Sequence, residues 1–262
     1  IDGYSAGTAV LMGRGDGTFD RLADVPDPAG VERGLDFAAD LNGDGFADIV
    51  TFDVCCGFYN SLRVIRLGRG DGTFGDARFT SIDGTFQNRL FDFNRDGYLD
   101  FISRHRDVKG LLNGVSVYLG DATASYLRSV DTMVPTAQEE STVFGIEDLN
   151  DDGIPDALIV SFRSASGSSF ALLGAGDGSF GEAIELPANP WDTARDFNRD
   201  GHIDLLSSGP LQRVMIGNGD GTFNFESPPE IASLEDPRLR ESEAPDLDGD
   251  GWLDVAVRNR DA

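Results

Sequence analysis

The stretch DLNGDGFAD, Asp40 to Asp48, has aspartate or asparagine at its first, third, fifth and ninth positions and glycine at its sixth. The pattern returns as DFNRDGYLD (Asp92 to Asp100), DLNDDGIPD (Asp148 to Asp156), DFNRDGHID (Asp196 to Asp204) and DLDGDGWLD (Asp246 to Asp254). Successive copies, loops 1 to 5, start 48 to 56 residues apart. Self-similarity at such a period marks a repeat architecture built from one supersecondary unit per copy.

A second element alternates with the first. It reads GRGDGTF at Gly13 and Gly68, GAGDGSF at Gly174 and GNGDGTF at Gly217, with a worn copy, GDATASY, at Gly120 to Tyr126. Gly-Asp-Gly between two β-rich runs predicts a hairpin, because Gly and Asp both tolerate positive φ. Short segments such as Gly34 to Ala39 precede the Asp motif, and runs such as Asp48 to Phe52 and Ala157 to Phe162 follow it. A third run, such as Leu62 to Leu67, enters the glycine heptapeptide, and a fourth, such as Phe180 to Leu186, leaves it. Each repeat therefore reads as four short antiparallel strands, one blade of an all-β propeller. No segment shows a sustained helical period.

The ends of the chain fit this scheme. Residues 1 to 25 supply a third strand (Thr8 to Met12), a turn and a fourth strand, and residues near Leu253 to Val257 supply a second strand. Pairing these halves closes a ring of five blades over residues 1–262 and removes the open sheet edges. The alternative is part of a seven-bladed ring. The chain opens at Ile1 without an initiator Met or a leader-like segment, which reads as a mature form or an excised piece.

The Asp motif has the chemistry of a calcium loop. Calcium takes six to eight oxygens at roughly 2.3–2.6 Å, and a loop brings positions 1, 3 and 5 together when glycine at 6 permits the sharp turn. The expected side-chain ligands are Asp40, Asn42, Asp44 and Asp48; Asp92, Asn94, Asp96 and Asp100; Asp148, Asn150, Asp152 and Asp156; Asp196, Asn198, Asp200 and Asp204; and Asp246, Asp248, Asp250 and Asp254. Position 7 presents a backbone carbonyl, so its side chain is free to vary, as Phe46, Tyr98, Ile154, His202 and Trp252 do. The competing reading is a set of Asx turns that need no metal. Three or four carboxylates in each of five loops favour about five Ca2+ ions, because without cations they repel one another.

The Asp motif, the apolar strand after it and the G-x-G-D-G-[TS]-F turn together resemble the FG-GAP/VCBS repeat. That resemblance spans nearly the whole chain. It implies a propeller like that of integrin α subunits and of secreted bacterial and fungal lectins, with calcium between the first and second strands of each blade. It is specific for fold and metal and weak for function, since adhesins, lectins and enzyme-linked modules share the repeat.

The chain carries 46 acidic and 21 basic residues, a formal charge of −25. Such a surface repels nucleic acid and anionic membrane, and no apolar run is long enough for a membrane helix. No G-x-S-x-G, H-E-x-x-H or P-loop pattern occurs, so stand-alone catalysis is not expected. The vicinal pair Cys55 and Cys56, with Phe58 and Tyr59, is a candidate ligand-contacting loop; its competing role is a turn lock or a pair of buried thiols. Arg104 to Lys109 is the one basic cluster, read as a solvated loop or an acidic-glycan contact, and Trp191 as core or stacking platform. The Arg-Gly-Asp inside GRGDGTF reads as a by-product of the turn, since its arginine position also holds Ala175 and Asn218. The chain is expected to be secreted or on the cell surface, binding a glycan or protein ligand. The alternatives are a subunit of an extracellular fibre or surface assembly and a non-catalytic domain of a larger secreted enzyme.

Overall fold

The computed structural model describes residues 7–26, 33–53, 62–82, 89–106, 112–134, 141–161, 168–186, 191–207, 214–225, 239–243, 247–250 and 256–259. Among them every regular element is a β-strand. Four sheets are four-stranded, and their strands lie in chain order. The first holds β5 (Arg33–Ala39), β6 (Asp48–Asp53), β7 (Leu62–Arg66) and β8 (Arg78–Ser81). The second holds β9 (Arg89–Phe91), β10 (Asp100–Arg106), β11 (Leu112–Leu119) and β12 (Arg128–Met133). The third holds β13 (Ser141–Glu147), β14 (Asp156–Ser161), β15 (Ser168–Leu172) and β16 (Ile184–Leu186). The fourth holds β17 (Trp191–Arg195), β18 (Asp204–Ser207), β19 (Val214–Gly217) and β20 (Phe223–Phe225).

Three two-stranded sheets remain. They pair β1 (Gly7–Thr8) with β4 (Val25–Pro26), β2 (Leu11–Gly13) with β3 (Phe19–Arg21), and β21 (Leu239–Glu243) with β22 (Ala256–Asn259). The expected single strand over Thr8 to Met12 is thus two pieces. Among the described residues the β1–β4 ladder pairs Gly7 with Pro26 and Thr8 with Val25. The expected fourth strand over Phe180 to Leu186 shortens to β16, with Phe180 held only by a bridge to Gly174.

The second and third strands are continuous apolar runs, and they are buried on both faces. Ile49, Val50, Val64 and Ile65 are buried, as are Ala157 to Val160 and Phe170 to Leu172. The first strands β5, β13, β17 and β21 each carry a register shift typical of a bulge, which no feature of the sequence announced.

By contact the chain divides into two units, residues 1–103 with 116–130 and residues 104–115 with 131–262. In the first unit, Leu41, Val50, Ile65, Ile82, Phe101 and Tyr126 form a core, with the Phe101 and Tyr126 rings edge-on at 4.7 Å. In the second, Leu149, Leu158, Val160, Leu186, Leu205 and Met215 do the same. Position 2 of the Asp motif (Leu41, Leu149) is a core residue in each, so burial anchors one end of the loop.

Candidate metal centre

Loops 1 to 4 each join the first and second strands of a four-stranded sheet, and their polar groups repeat one network. In loop 1, Asp40 Oδ1 accepts the Asp44 N–H at 3.1 Å and Oδ2 accepts the Gly45 N–H at 2.8 Å. The Asn42 Nδ2 group donates to Asp44 Oδ2 at 3.0 Å, and Asp44 Oδ1 accepts the Phe46 N–H at 2.9 Å. Loops 2 and 3 repeat these bonds from Asp92, Asn94 and Asp96 and from Asp148, Asn150 and Asp152. The network curls positions 1, 3 and 5 toward one another. Loop 4 differs in one respect. Asp196 Oδ2 accepts the Gly201 N–H at 3.0 Å, but Asp196 Oδ1 is buried with no hydrogen-bond partner. A buried carboxylate oxygen without a donor is costly unless a cation or proton meets it. That orphan atom, and the oxygen-only donor set at positions 1, 3 and 5, fit a hard cation.

Position 9 has a different job. Asp48, Asp100, Asp156 and Asp204 are fully buried. Their Oδ2 atoms accept the N–H of position 2 (Leu41, Phe93, Leu149 and Phe197) at 2.7–3.0 Å. Their Oδ1 atoms accept the N–H of the first glycine-turn residue (Gly68, Gly120, Gly174 and Gly217) at 2.7–2.8 Å. One carboxylate thus closes the Asp loop and clamps the glycine turn to it. Those glycines have no room for a side chain. A Cβ at Gly68 would lie 2.2 Å from the Ala47 carbonyl oxygen, at Gly120 2.4 Å from that of Leu99, and at Gly217 2.2 Å from that of Ile203. Burial, opposed by the two N–H bonds, pushes Asp100 and Asp156 up to about 6; the carboxylates at positions 5 and 1 add to the rise. Asp48 and Asp204 shift upward for the same first cause. Among the described residues no three His, Cys, Asp or Glu side chains converge as a ready-made cage. Positions 1 and 5 bring two carboxylates, position 3 an amide, and position 9 is held by backbone amides.

In the glycine turns Asp behaves otherwise. Asp16 Oδ1 accepts both the Thr18 N–H (2.9 Å) and its hydroxyl (2.6 Å), and Asp71 and Asp220 do the same with Thr73 and Thr222. These bonds hold Asp16, Asp71 and Asp220 below the usual carboxylate range. The flanking glycines take positive φ, for example 79° at Gly15 and 86° at Gly17, whereas the central Asp does not. The predicted hairpin forms with its positive φ on the glycines alone, and Asp is there for its side chain. Arg14 pairs with Asp20, its Nε donating to Oδ2 at 2.7 Å. The first Arg-Gly-Asp is thus bonded into its own hairpin.

Two features escaped sequence reasoning. Position 4 is left-handed in every copy, with φ of 71° at Gly43, 58° at Arg95, 58° at Asp151, 61° at Arg199 and 79° at Gly249. The glycines of copies 1 and 5 were the only signal of it. Position 7 also has a packing role. A Cβ at Gly70 would lie 2.3 Å from the Phe46 ring, one at Gly176 would lie 3.3 Å from Ile154, and one at Gly219 would lie 2.4 Å from the His202 ring. His202 Nδ1 stands 2.5 Å from Asp151 Oδ2, and this bond raises the His202 pKa.

Of loop 5, Asp248 Oδ1 accepts the Asp250 N–H at 3.0 Å. Asp246, Trp252 and Asp254 lie outside the described residues, as do Cys55, Cys56, Phe58, Tyr59 and Lys109. His105 Nδ1 lies 3.5 Å from Asp131 Oδ1. Trp191 begins β17.

A family model described as FG-GAP-like repeat matches residues 40–103, 148–207 and 196–257. No curated protein matches the chain. Among solved structures, a chain of a mutant Tc holotoxin pore of Photorhabdus luminescens is similar at 18% identity and a TM-score of 0.45, over 95% of this chain and 12% of that one. The present chain therefore spans only a small part of that toxin chain's length.

Proposed function

The chain belongs to the FG-GAP-like repeat family, and from that premise we propose that it is an extracellular, calcium-stabilised β-propeller that acts as a recognition or adhesion module. Its four complete sheets are four blades. The fifth forms when the third and fourth strands, β2 and β3, meet the first and second, β21 and β22. This ring removes the open edge beside Leu11 and Met12, which are 57% and 40% exposed.

Calcium is held by the oxygens of positions 1, 3 and 5 and by the carbonyl of position 7. Position 9 adds charge and its remaining lone pairs. The observation that carries this reading is Asp196 Oδ1, a buried anionic oxygen with no donor. The cation supplies fixed positive charge to loops that otherwise hold several carboxylates together; it is structural. Calorimetric titration of chelator-stripped protein with calcium tests the reading. Saturable binding of about five ions is expected, and the absence of binding at millimolar calcium overturns it.

Recognition is supported by a cleft of about 440 Å³ in the first unit, lined by Leu22, Val25, Pro26, Arg66, Phe74 and Asp76 among others. An apolar floor with a few polar groups is the usual form of a ligand site. Saturable binding on a glycan array, lost on Phe74→Ala, is expected. Cys55, Cys56, Phe58 and Tyr59 are proposed as a second contact; unchanged binding after both cysteines become serine removes it. A structural subunit of an extracellular assembly is the second reading, favoured by the outward apolar side chains of Phe19, Leu127 and Met133. It requires ordered filaments or sheets by electron microscopy and no ligand.

A further inference from the structure

Position 7 enters the calcium reading only through its carbonyl, so ligation leaves its side chain unexplained. In two places that side chain reaches the loop of the preceding blade. A Cβ at Gly43, position 4 of loop 1, would lie 3.4 Å from Cε1 of Tyr98 and 3.6 Å from the Gly97 carbonyl oxygen, both of loop 2. In the second unit, His202 of loop 4 meets Asp151, position 4 of loop 3, at 2.5 Å. The same relation thus occurs with an aromatic ring over glycine and with an imidazole against a carboxylate. Different chemistry at one geometric place argues that the place matters.

Position 4 is a sensitive point to touch. It lies between the ligands at positions 3 and 5 and takes a left-handed backbone in both loops, 71° at Gly43 and 58° at Asp151. Glycine there is the residue with the most backbone freedom to lose, so a ring laid over Gly43 narrows what loop 1 can sample. At Asp151 the left-handed backbone is intrinsically unfavourable for a residue with a Cβ, and the bond to His202 helps hold it. Whatever fixes position 4 also fixes the peptide groups that carry Asn42 and Asp44, or Asn150 and Asp152.

We propose that Tyr98 and His202 are positioning residues for the loop one blade before their own, coupling cation uptake in loop 2 to loop 1 and in loop 4 to loop 3. This rests on the calcium reading above. A cation in loop 2 holds the backbone at Tyr98 and so places its ring. The ring presses Gly43 into the conformation that loop 1 needs. By linkage, calcium in loop 1 favours loop 2 by the same factor. The loops then fill in neighbouring pairs.

The test needs a separate signal for each loop. The position-6 glycines supply it, because the N–H of Gly45, Gly97, Gly153 and Gly201 each donates to position 1 of its own loop. Calcium titration followed at these four amide resonances gives four midpoints. In Tyr98→Ala, the Gly45 midpoint should rise at least about fivefold, the lower end of ordinary couplings. The Gly153 and Gly201 midpoints should stay in place, which also shows that the variant is folded. Tyr98→Phe should restore Gly45. His202→Ala should raise the Gly153 midpoint and leave Gly45 alone. A Gly45 midpoint unchanged in Tyr98→Ala, while Gly97 still titrates, overturns the coupling and leaves the calcium reading standing. No calcium response at any of the four glycines overturns both.

Discussion

The Asp loops and the glycine turns use the same two residue types, yet the carboxylate that closes each loop at position 9 shifts opposite to the turn carboxylate, while Asp200 at position 5, met by the His202 N–H and the Asn198 amide, is lowered as the turn aspartates are. Asp16, Asp71 and Asp220 are lowered because a threonine N–H and hydroxyl meet the charge. Asp48, Asp100, Asp156 and Asp204 are raised because they are buried beside other carboxylates. The turn is electrostatically self-sufficient. The loop carries more negative charge than its own donors meet. The difference lies in the partners supplied, since both elements use glycine to turn and Asp to accept.

The largest test of that difference is removal of cations. Chelator should lower the melting temperature strongly. At millimolar calcium and an affinity of roughly 10⁻⁴–10⁻³ M, each loop contributes on the order of 1 kcal/mol, and the loops sum. Scanning calorimetry with and without calcium measures it; an unchanged melting temperature would leave the loops as self-contained as the turns.

Next comes the point where loop and turn join. Gly68→Ala sets a methyl group against the Ala47 carbonyl, which is backbone and cannot swing aside. A loss of about 2–3 kcal/mol is expected in denaturant unfolding. Gly15→Ala meets nothing within 4 Å and suffers only from its φ of 79°, about 1–2 kcal/mol. Equal losses would show that the join carries no special load.

The pH profile separates the two kinds of carboxylate. Asp100 and Asp156 hold their protons to about 6 in the fold, against an ordinary 3.8. A group whose pKa is raised on folding stabilises fully below its unfolded value and loses that contribution as pH rises through the folded one. Chelated protein should therefore lose melting temperature as pH rises from about 4 to about 6. The turn aspartates act in reverse, stabilising above their unfolded value and withdrawing support as pH falls below it. Calcium should flatten the loss. A chelated profile that is flat between pH 4 and 6, or rises, contradicts the assignment.

The smallest effect concerns position 4. Arg95 adopts φ 58° where loop 1 has glycine. Arg95→Gly should raise stability by about 0.5–1 kcal/mol, the left-handed penalty less the entropy of glycine. A loss instead would mean that the arginine side chain outweighs its backbone.

Most of the strand plan was legible in the sequence because it rests on local rules. Continuous apolar runs became doubly buried strands, and the two Gly-Asp motifs became the connections at one end of each sheet. The positions that escaped notice depend on neighbours far along the chain. Nothing within Asp40 to Asp48 says that Asp48 will accept a hydrogen bond from the Gly68 N–H, or that Tyr98 will lie over Gly43. Arg95, Asp151 and Arg199 hid the left-handed backbone at position 4 because three of the five copies tolerate it without glycine. The bulges in the first strands left no residue pattern.

The clamp from position 9 to the first turn glycine spans 20 residues from Asp48 to Gly68, 18 from Asp156 to Gly174 and 13 from Asp204 to Gly217. The bond length hardly changes while the intervening chain does. Spatial period and sequence period are therefore uncoupled in this fold. The connection between second and third strands can differ in length from sheet to sheet without resetting the repeat, while the carboxylate-to-amide clamp at the other end of each sheet stays the same.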